Sequence, residues 1–213
     1  MGQKAENLYF GKPSGLMDQT ASSVGGAVTI DFADPADPKV RTVSVDLNAL
    51  GYALCIIDSG ASHAALTSEY ASIPQEMGAV AAQFGRQVLR ALHFFADDQR
   101  VEREADALAS GDMDTFLSLV RESGRSSWEL LQDITPTGAV REQAMAVALT
   151  IVERALNGRG ACRVHGGGFA GTIQAFVPLD HCAAFRQEVE SMLGAGCCHM
   201  LSIRPVGGAV LWP

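Results

Sequence analysis

The sequence predicts an α+β protein, in which helices cover one face of an antiparallel sheet. Apolar residues form short strand-like runs up to residue 57, and from residue 77 they recur every three or four positions, as in a helix. Residues 161–212 then read as two strands around a glycine-rich loop, a helix and two more strands. Helices that precede such a run of strands are typical of α+β layers.

The first part of the chain alternates between turns and strands. Residues 14–23 fit a short helix, with Ser14 as its N-cap and a pair of glycines after its end. Residues 27–32 alternate between apolar and polar positions, and a loop rich in Pro and Asp separates them from a second strand at 42–45. The nearly continuous apolar run at 52–57 predicts a strand that is covered on both faces.

Three helices are predicted in the middle of the chain. Pro74 suits the first turn of a long helix whose apolar stripe consists of Met77, Val80, Phe84, Val88, Leu92 and Phe95. A second helix covers residues 112–132, and a third covers 137–156 and ends at Asn157. The remaining elements are strands at 161–164 and 172–177, a helix at 180–193, and strands at 200–204 and 209–212.

The charge balance and the cysteines exclude several classes of protein. The 213 residues carry 16 Lys and Arg against 24 Asp and Glu, a net charge of −8. Such an acidic chain lacks the basic face that binds nucleic-acid phosphates or an anionic membrane surface. Its longest strongly apolar run, residues 144–152, is far shorter than the ~20 residues that span a bilayer, and no signal peptide is visible. The five cysteines form no plausible zinc motif, so we expect reduced thiols, no metal site and a cytoplasmic protein.

A glycine-rich loop is the first candidate for a functional segment. Residues 165–171 read HGGGFAG and lie between two predicted strands. The glycines permit positive φ angles and a close approach of the backbone to a neighbour. No helix and no Lys-Ser/Thr pair follows the loop, which excludes a Walker A motif. On its own the pattern also fits a tight β-turn.

Two further segments place polar side chains where a site could form. Asp18 lies near the start of the first predicted helix, either as a capping or dipole-favoured residue or as a carboxylate that accepts the proton of a substrate hydroxyl. Residues 58–70 follow the buried strand, and polar residues beyond the end of a strand are well placed to line a site. His63 in this segment is either a structural histidine or part of that site.

Taken together and in this order, these segments resemble the galactokinase family of the GHMP superfamily of sugar and small-molecule kinases. Residues 6–19 read ENLYFGKPSGLMDQ, which matches the family's E-N-x-[FY]-x-G-x-x-C-G-x-M-D-Q without a gap, with Ser14 in place of the usual Cys. The match explains ENLYFG, which otherwise looks like a protease-cleavable tag, as native sequence. Residues 166–171 match the late motif G-G-G-F-G-G except at Ala170, and residues 68–70 match S-E-Y.

The resemblance implies both a fold and a site. The fold would be the C-terminal half of a GHMP kinase, with a ferredoxin-like antiparallel sheet. Asp18 would be the catalytic aspartate beside the anomeric hydroxyl of the sugar, Gly15 would bind the sugar through its backbone, and Tyr70 would contact a sugar hydroxyl. A glycine motif near the active site would shape the phosphate region; its members are Gly166, Gly167, Gly168, Phe169 and Gly171. Phosphoryl transfer needs mainly positioning and charge stabilisation, with a carboxylate for the attacking hydroxyl.

The other motifs of the family are absent from this sequence. Neither its Glu-His-x-Asp sugar clamp nor its Gly/Ser-rich phosphate loop can be found. We therefore expect residues 1–74 to be a remnant of the kinase N-terminal domain and residues 75–213 to be the C-terminal domain. Strands 28–32 and 52–57 of the remnant would be exposed and available for a homodimer.

The resemblance also implies a reaction. The intact family member would use ATP and Mg2+ to phosphorylate galactose to galactose 1-phosphate, with N-acetylgalactosamine and arabinose as the other sugars to consider. This chain would be a truncated copy that binds neither ATP nor Mg2+ tightly and is inactive alone. The alternative is a non-catalytic relative, a sugar-sensing or structural protein.

Overall fold

The computed structural model describes residues 2–9, 14–61, 86–136 and 141–209, with all side chains except those of 86 and 87. The α-helices are α1 (Gly2–Tyr9), α2 (Met17–Val24), α3 (Arg86–Ser110), α4 (Met113–Ser126), α5 (Ala144–Leu156) and α6 (Cys182–Leu193). A π-helical turn (Ser127–Leu131) follows α4, and a 3₁₀ turn (Leu179–His181) precedes α6. The strands are β1 (Ala27–Asp31), β2 (Lys39–Val43), β3 (Tyr52–Asp58), β4 (Ala161–Val164), β5 (Thr172–Pro178) and β6 (Cys198–Leu201).

Four strands form one antiparallel sheet in the order β4-β5-β3-β6. β3 is a central strand, because it pairs with β5 along its whole length and with β6 on its other side. Along the chain the sheet is built as β-α-β-β-α-β, which is the ferredoxin-like arrangement. β1 and β2 form a separate antiparallel hairpin. The predicted α+β class with an antiparallel sheet is therefore confirmed.

The two faces of the sheet pack against different helices. Ala53, Cys55 and Ile57 alternate along β3 and are buried in a core shared with α5 and α6. On the opposite face Phe176 of β5 contacts Phe116 of α4, with ring centroids 4.8 Å apart. Helices α5 and α6 thus cover one face and α4 packs on the other, so the sheet has helices on both faces rather than on the one face that was expected. The continuous apolar run of β3 does predict a strand covered on both faces.

Capping chemistry explains the ends of the middle helices. The Asp112 carboxylate accepts the N–H of Thr115 at 3.1 Å and caps α4. Helix α5 ends where Asn157 adopts the left-handed conformation, with a φ of 49°. The helix predicted at 112–132 has the correct extent, but it changes from α to π geometry at Ser127.

The apolar stripe predicted for the long helix is wrong within the described part of α3. Leu92 is 55% exposed and Phe95 is 66% exposed, whereas Arg90 and His93 are buried. The reason is that α3 packs against α4 through polar side chains, with His93 Nδ1 2.8 Å from Ser126 Oγ. Hydrophobic periodicity cannot detect such a contact, because the residues that are buried between the two helices are polar. The members of the stripe before residue 86 lie outside the described residues.

Three further expectations concern the exposure of residues 52–57, the last strands and the domain boundary. Residues 52–57 are not an exposed edge, since β3 lies in the middle of the sheet, so that expectation is wrong. The last described strand is β6 rather than 200–204, and residues 202–209 form no strand. The predicted domain boundary between residues 74 and 75 lies outside the described residues and stays a prediction.

The described residues include no helix that is long and apolar enough to cross a bilayer. All five cysteines are free thiols, as predicted.

Candidate functional site

The glycine loop, residues 165–171, lies at the end of the sheet where β4 and β3 end and β5 begins. The N–H of His165 donates to the carbonyl of Thr172 at 3.0 Å, which continues the β4–β5 hairpin by one step. Thr172 in turn pairs with Asp58, the last residue of β3. This register brings the loop beside the chain that leaves β3.

The second half of the loop is buried against that chain. Phe169 and Ala170 pack on Ala61, and both are at most 2% exposed. Ser59 donates twice to the carbonyl of Gly171, from its N–H at 2.9 Å and from its Oγ at 2.6 Å. The tip, at residues 166–167, is exposed. The loop therefore has an anchored base and an accessible tip.

The middle of the loop rests on Asp133, the second residue after the π-helical turn. Gly168 has a φ of 78°, and a Cβ at this position would collide with the backbone oxygen and the carboxylate of Asp133. The N–H of Phe169 donates to that backbone oxygen, and Phe169 itself has a φ of 58°. Only glycine fits at 168, for reasons of both space and conformation.

Asp18 lies in the first turn of α2 and is exposed. The N-cap of this helix is Leu16, and no side chain caps the helix by a hydrogen bond. The capping alternative therefore does not apply to Asp18, although a carboxylate is still favoured at this positive end of the helix dipole.

Side chains of α1 hold the segment that leads into α2. The Glu6 carboxylate accepts from Ser14 Oγ and from Gln19 Nε2, the latter at 3.3 Å. Asn7 Oδ1 accepts the N–H of Ser14 at 2.8 Å. These contacts explain why Glu, Asn and Gln occur together in this motif: they join α1 to the start of α2.

The other end of α2 is held by the C-terminal part of the chain. The N–H of Gly26 donates to the carbonyl of Arg204 at 2.8 Å, and the N–H of Gly208 donates to that of Ser23 at 2.9 Å. Gly207 lies so close to Ser23 that a Cβ there would collide with the carbonyl of Ser23. α2 is thus fixed at both ends, and so is the position of Asp18.

Asp18 and the glycine loop lie within electrostatic range of each other. Desolvation lowers the pKa of His165, and the nearby guanidinium of Arg163 lowers it further, whereas the Asp18 carboxylate raises it. Nδ1 of His165 lies 3.0 Å from Thr172 Oγ1, which orients the ring. The Asp18 carboxylate thus contributes to the electrostatics at the start of the glycine loop.

The remaining predicted residues have mixed outcomes. Gly15 is exposed, its φ is not positive, and a Cβ there would have no neighbour within 4 Å, so the fold does not require glycine at this position. Tyr70 and His63 lie outside the described residues. Sequence reasoning missed Asp133, because it belongs to no recognisable motif, whereas Ser59 lies in the polar segment 58–70 that the sequence indicates.

Among the residues that the structure describes, no three His, Cys, Asp or Glu side chains come together as a metal site. The carboxylate of Asp18 alone does not provide the ligand set of a Mg2+ ion.

No protein-family model matches the chain. The galactokinase of Mycobacterium tuberculosis is 30% identical over 207 aligned positions, which cover 84% of this chain and 53% of that protein. The structure of Lactococcus lactis galactokinase complexed with galactose has a TM-score of 0.72 at 21% identity, over 97% of this chain and 58% of that one. The chain is a galactokinase homologue.

A second solved structure shares the fold of this chain. L. major mevalonate kinase in complex with R-mevalonate has a TM-score of 0.58 at 16% identity, over 90% of this chain and 53% of that one. At such low identity the likeness concerns the fold alone. The chain spans about half the length of the curated relatives that it matches.

Proposed function

We propose that this chain is the C-terminal half of a galactokinase-type sugar 1-kinase, with Asp18 as the catalytic carboxylate. The observation that supports this best is the 30% identity with a galactokinase over 84% of the chain. The two motifs that carry the resemblance are the segment with Asp18 and the glycine loop. A sugar kinase would need them next to each other, one at the sugar hydroxyl and the other at the phosphates. In this proposal the carboxylate and the loop face the same reacting groups.

The chemistry assigned to Asp18 is proton transfer. The hydroxyl oxygen of the sugar bonds to the γ-phosphorus of ATP, the bond from that phosphorus to the bridging oxygen breaks, and the hydroxyl proton passes to the carboxylate. An exposed carboxylate held by a fixed helix can accept that proton, a contribution of typically ~10²–10⁴-fold in rate. ATP with Mg2+ supplies the phosphoryl group in this reaction.

The other site residues are proposed to bind rather than react. Gly15 would approach the sugar with its backbone. Neither packing nor a positive φ requires glycine at this position, which agrees with the close approach of a ligand as the reason for it. Tyr70 would contact a sugar hydroxyl. The exposed tip of the loop, at Gly166 and Gly167, would face the phosphate region, while the buried Gly168, Phe169 and Gly171 hold it in place.

We further propose that this chain has little kinase activity by itself. Neither the phosphate loop nor the sugar clamp occurs in the sequence. A phosphate loop supplies the backbone N–H groups that hold a triphosphate. The division into a remnant at 1–74 and a C-terminal domain at 75–213 belongs to the same proposal, although β3 of the first segment pairs with β5 and β6 of the second.

The test compares the chain alone with the chain joined to a segment that carries a family phosphate loop and sugar clamp. Incubation with galactose, ATP and magnesium should give turnover for the joined protein and almost none for the chain. Turnover of the chain alone at ~1–100 s⁻¹ would contradict the proposed inactivity. Galactose binding by the joined protein without any turnover would support a sugar-sensing relative instead.

We also propose a homodimer through residues 1–74. Of the two strands that the sequence suggests for this contact, only the one in the β1–β2 hairpin remains, because β3 lies inside the sheet. Within the described residues β1 and β2 pair only with each other, and Val40 on β2 is exposed. Two-stranded sheets with free edges are available for pairing with another chain. Sedimentation should show a dimer at micromolar concentration, and a clean monomer would contradict this proposal.

A further inference from the structure

A cavity of about 540 Å³ lies beside β4, which is an edge strand in the order β4-β5-β3-β6. Helix α4 packs on one face of the sheet and α5 on the other, and both helices line the cavity together with β4. None of the described lining residues belongs to the glycine loop or to the segment around Asp18. The cavity is therefore distinct from the proposed catalytic site.

The free side of β4 does not offer its backbone to a further strand. The N–H of His165 donates to the carbonyl of Thr172, and antiparallel pairs alternate along a ladder. Cys162 and Val164 consequently direct their carbonyls away from β5. Nε of Arg163 donates to the carbonyl of Val164 at 3.2 Å, and α4 packs closely against that of Cys162. These contacts exclude a peptide strand and leave room for a small ligand.

The charges around the cavity favour an anion. The lining contains three guanidinium groups against two carboxylates, those of Arg121, Arg125 and Arg163 against those of Glu129 and Glu153. The chain as a whole has a net charge of −8. The local excess of positive charge is thus the reverse of the overall balance, and it attracts ligands of negative charge.

Arg125 is the guanidinium that is most available to such a ligand. It is exposed, and within the described part of the chain its side chain makes no hydrogen bond and no ion pair. Nη1 of Arg121, in contrast, donates to the carbonyl of Gly160 at 2.7 Å, and Nη1 of Arg163 donates to Ser123 Oγ. A guanidinium presents its N–H donors in a planar fork that fits a phosphate or a carboxylate.

Trp128 adds an aromatic surface next to Arg125. It lies in the π-helical turn, lines the cavity and is 45% exposed. Residues three apart on a helix are neighbours, and single π-helical turns are frequent at functional sites. Across the cavity, Leu149 and Leu156 of α5 supply an apolar wall. An aromatic ring can stack on the exposed indole, with its apolar edge towards that wall.

We propose that this cavity binds a small aromatic anion, namely a ring that carries a phosphate or a carboxylate. The ring stacks on Trp128, and the anionic group accepts hydrogen bonds from Arg125. The volume of the cavity falls within the ~300–1,000 Å³ of small-molecule sites. This proposal does not rest on the proposed kinase function.

NMR titration with phenyl phosphate and, separately, with benzoate tests the site. The chain has two tryptophans, and Trp212→Phe assigns the indole N–H signal of Trp128. We expect at least one of the two anions to shift this signal saturably below ~10 mM, and the one that binds identifies the anionic group. Benzylamine, which carries a similar ring with a positive charge, should bind at least tenfold more weakly.

Arg125→Gln should weaken binding about tenfold, because it removes the charge-assisted hydrogen bonds. Arg154→Gln is the matched control, since Arg154 is an exposed arginine of α5 outside the lining, and it should leave the affinity unchanged. Both side chains are exposed, so both variants should fold. The proposal is overturned if neither anion shifts the Trp128 signal saturably, if benzylamine binds as well as the anions, or if Arg125→Gln binds them as tightly as the parent.

Discussion

At the scale of single residues, the buried Asp133 and the half-buried Glu104 give the chain a defined response to pH. The pKa of Asp133 is raised to about 7, chiefly by desolvation, and that of Glu104 is also raised to about 7 for the same reason. Each value lies above the ~4 of an unfolded chain. Their contribution to the free energy of unfolding is therefore fully present below pH 4 and is lost as the pH rises through 7.

Asp133→Asn should remove part of this pH dependence. An amide does not ionise, so the variant should gain stability relative to the parent as the pH rises from 5 to 8. One unit of pKa difference corresponds to about 1.4 kcal/mol, and we expect a relative change of at least that size. Urea unfolding of both proteins at the two pH values measures it. Parallel losses in the two proteins would show that Asp133 stays ionised throughout.

At the scale of elements, the packing of α4 on β4 depends on a glycine inside a helix. A Cβ at Gly124 would lie 3.1 Å from the Cβ of Arg163 and 3.2 Å from the carbonyl oxygen of Cys162. These neighbours belong to a strand, so they cannot yield as the end of a flexible side chain would. The close approach lets Arg163 reach Ser123 on α4.

Gly124→Ala should therefore destabilise the protein. Alanine gains up to ~1 kcal/mol in helix propensity, but overpacking costs typically ~1–3 kcal/mol, so we expect a net loss of about 1 kcal/mol. Gly15→Ala is the control, because a Cβ there meets open space. Thermal unfolding of the two variants tests this, and a Gly124→Ala protein as stable as the parent would show that α4 can shift.

Elements with local signals could be predicted from the sequence, and contacts between elements could not. β3 was evident from its continuous apolar run, and α5 from its apolar positions and Asn157. Which side of α3 is exposed could not be predicted, because the contact that buries Arg90 and His93 is made by polar side chains. The contact of Asp133 with the loop could not be predicted either, since it depends on a π-helical turn that no local sequence pattern indicates.

At the scale of the whole molecule, a ferredoxin-like sheet holds the glycine loop at one end, and contacts with α1 and with the C-terminal segment fix α2. The match to a galactokinase at 30% identity covers 84% of the chain but only 53% of the relative. The sheet, Asp18 and the loop are thus present within about half of the relative's length. In the proposed kinase, the catalytic carboxylate lies in this half and the phosphate loop lies in the other.

The most direct test of this account is the steady-state kinetics of Asp18→Asn in the joined protein at saturating ATP. An amide can still hydrogen-bond the sugar, so KM for the sugar should change little, whereas kcat should fall by ~10² or more because the proton acceptor is lost. Asp114→Asn, which alters another exposed carboxylate in the first turn of a helix, is the matched control and should leave both constants unchanged. A kcat for Asp18→Asn within about threefold of the parent would contradict the assignment of Asp18 as the catalytic residue.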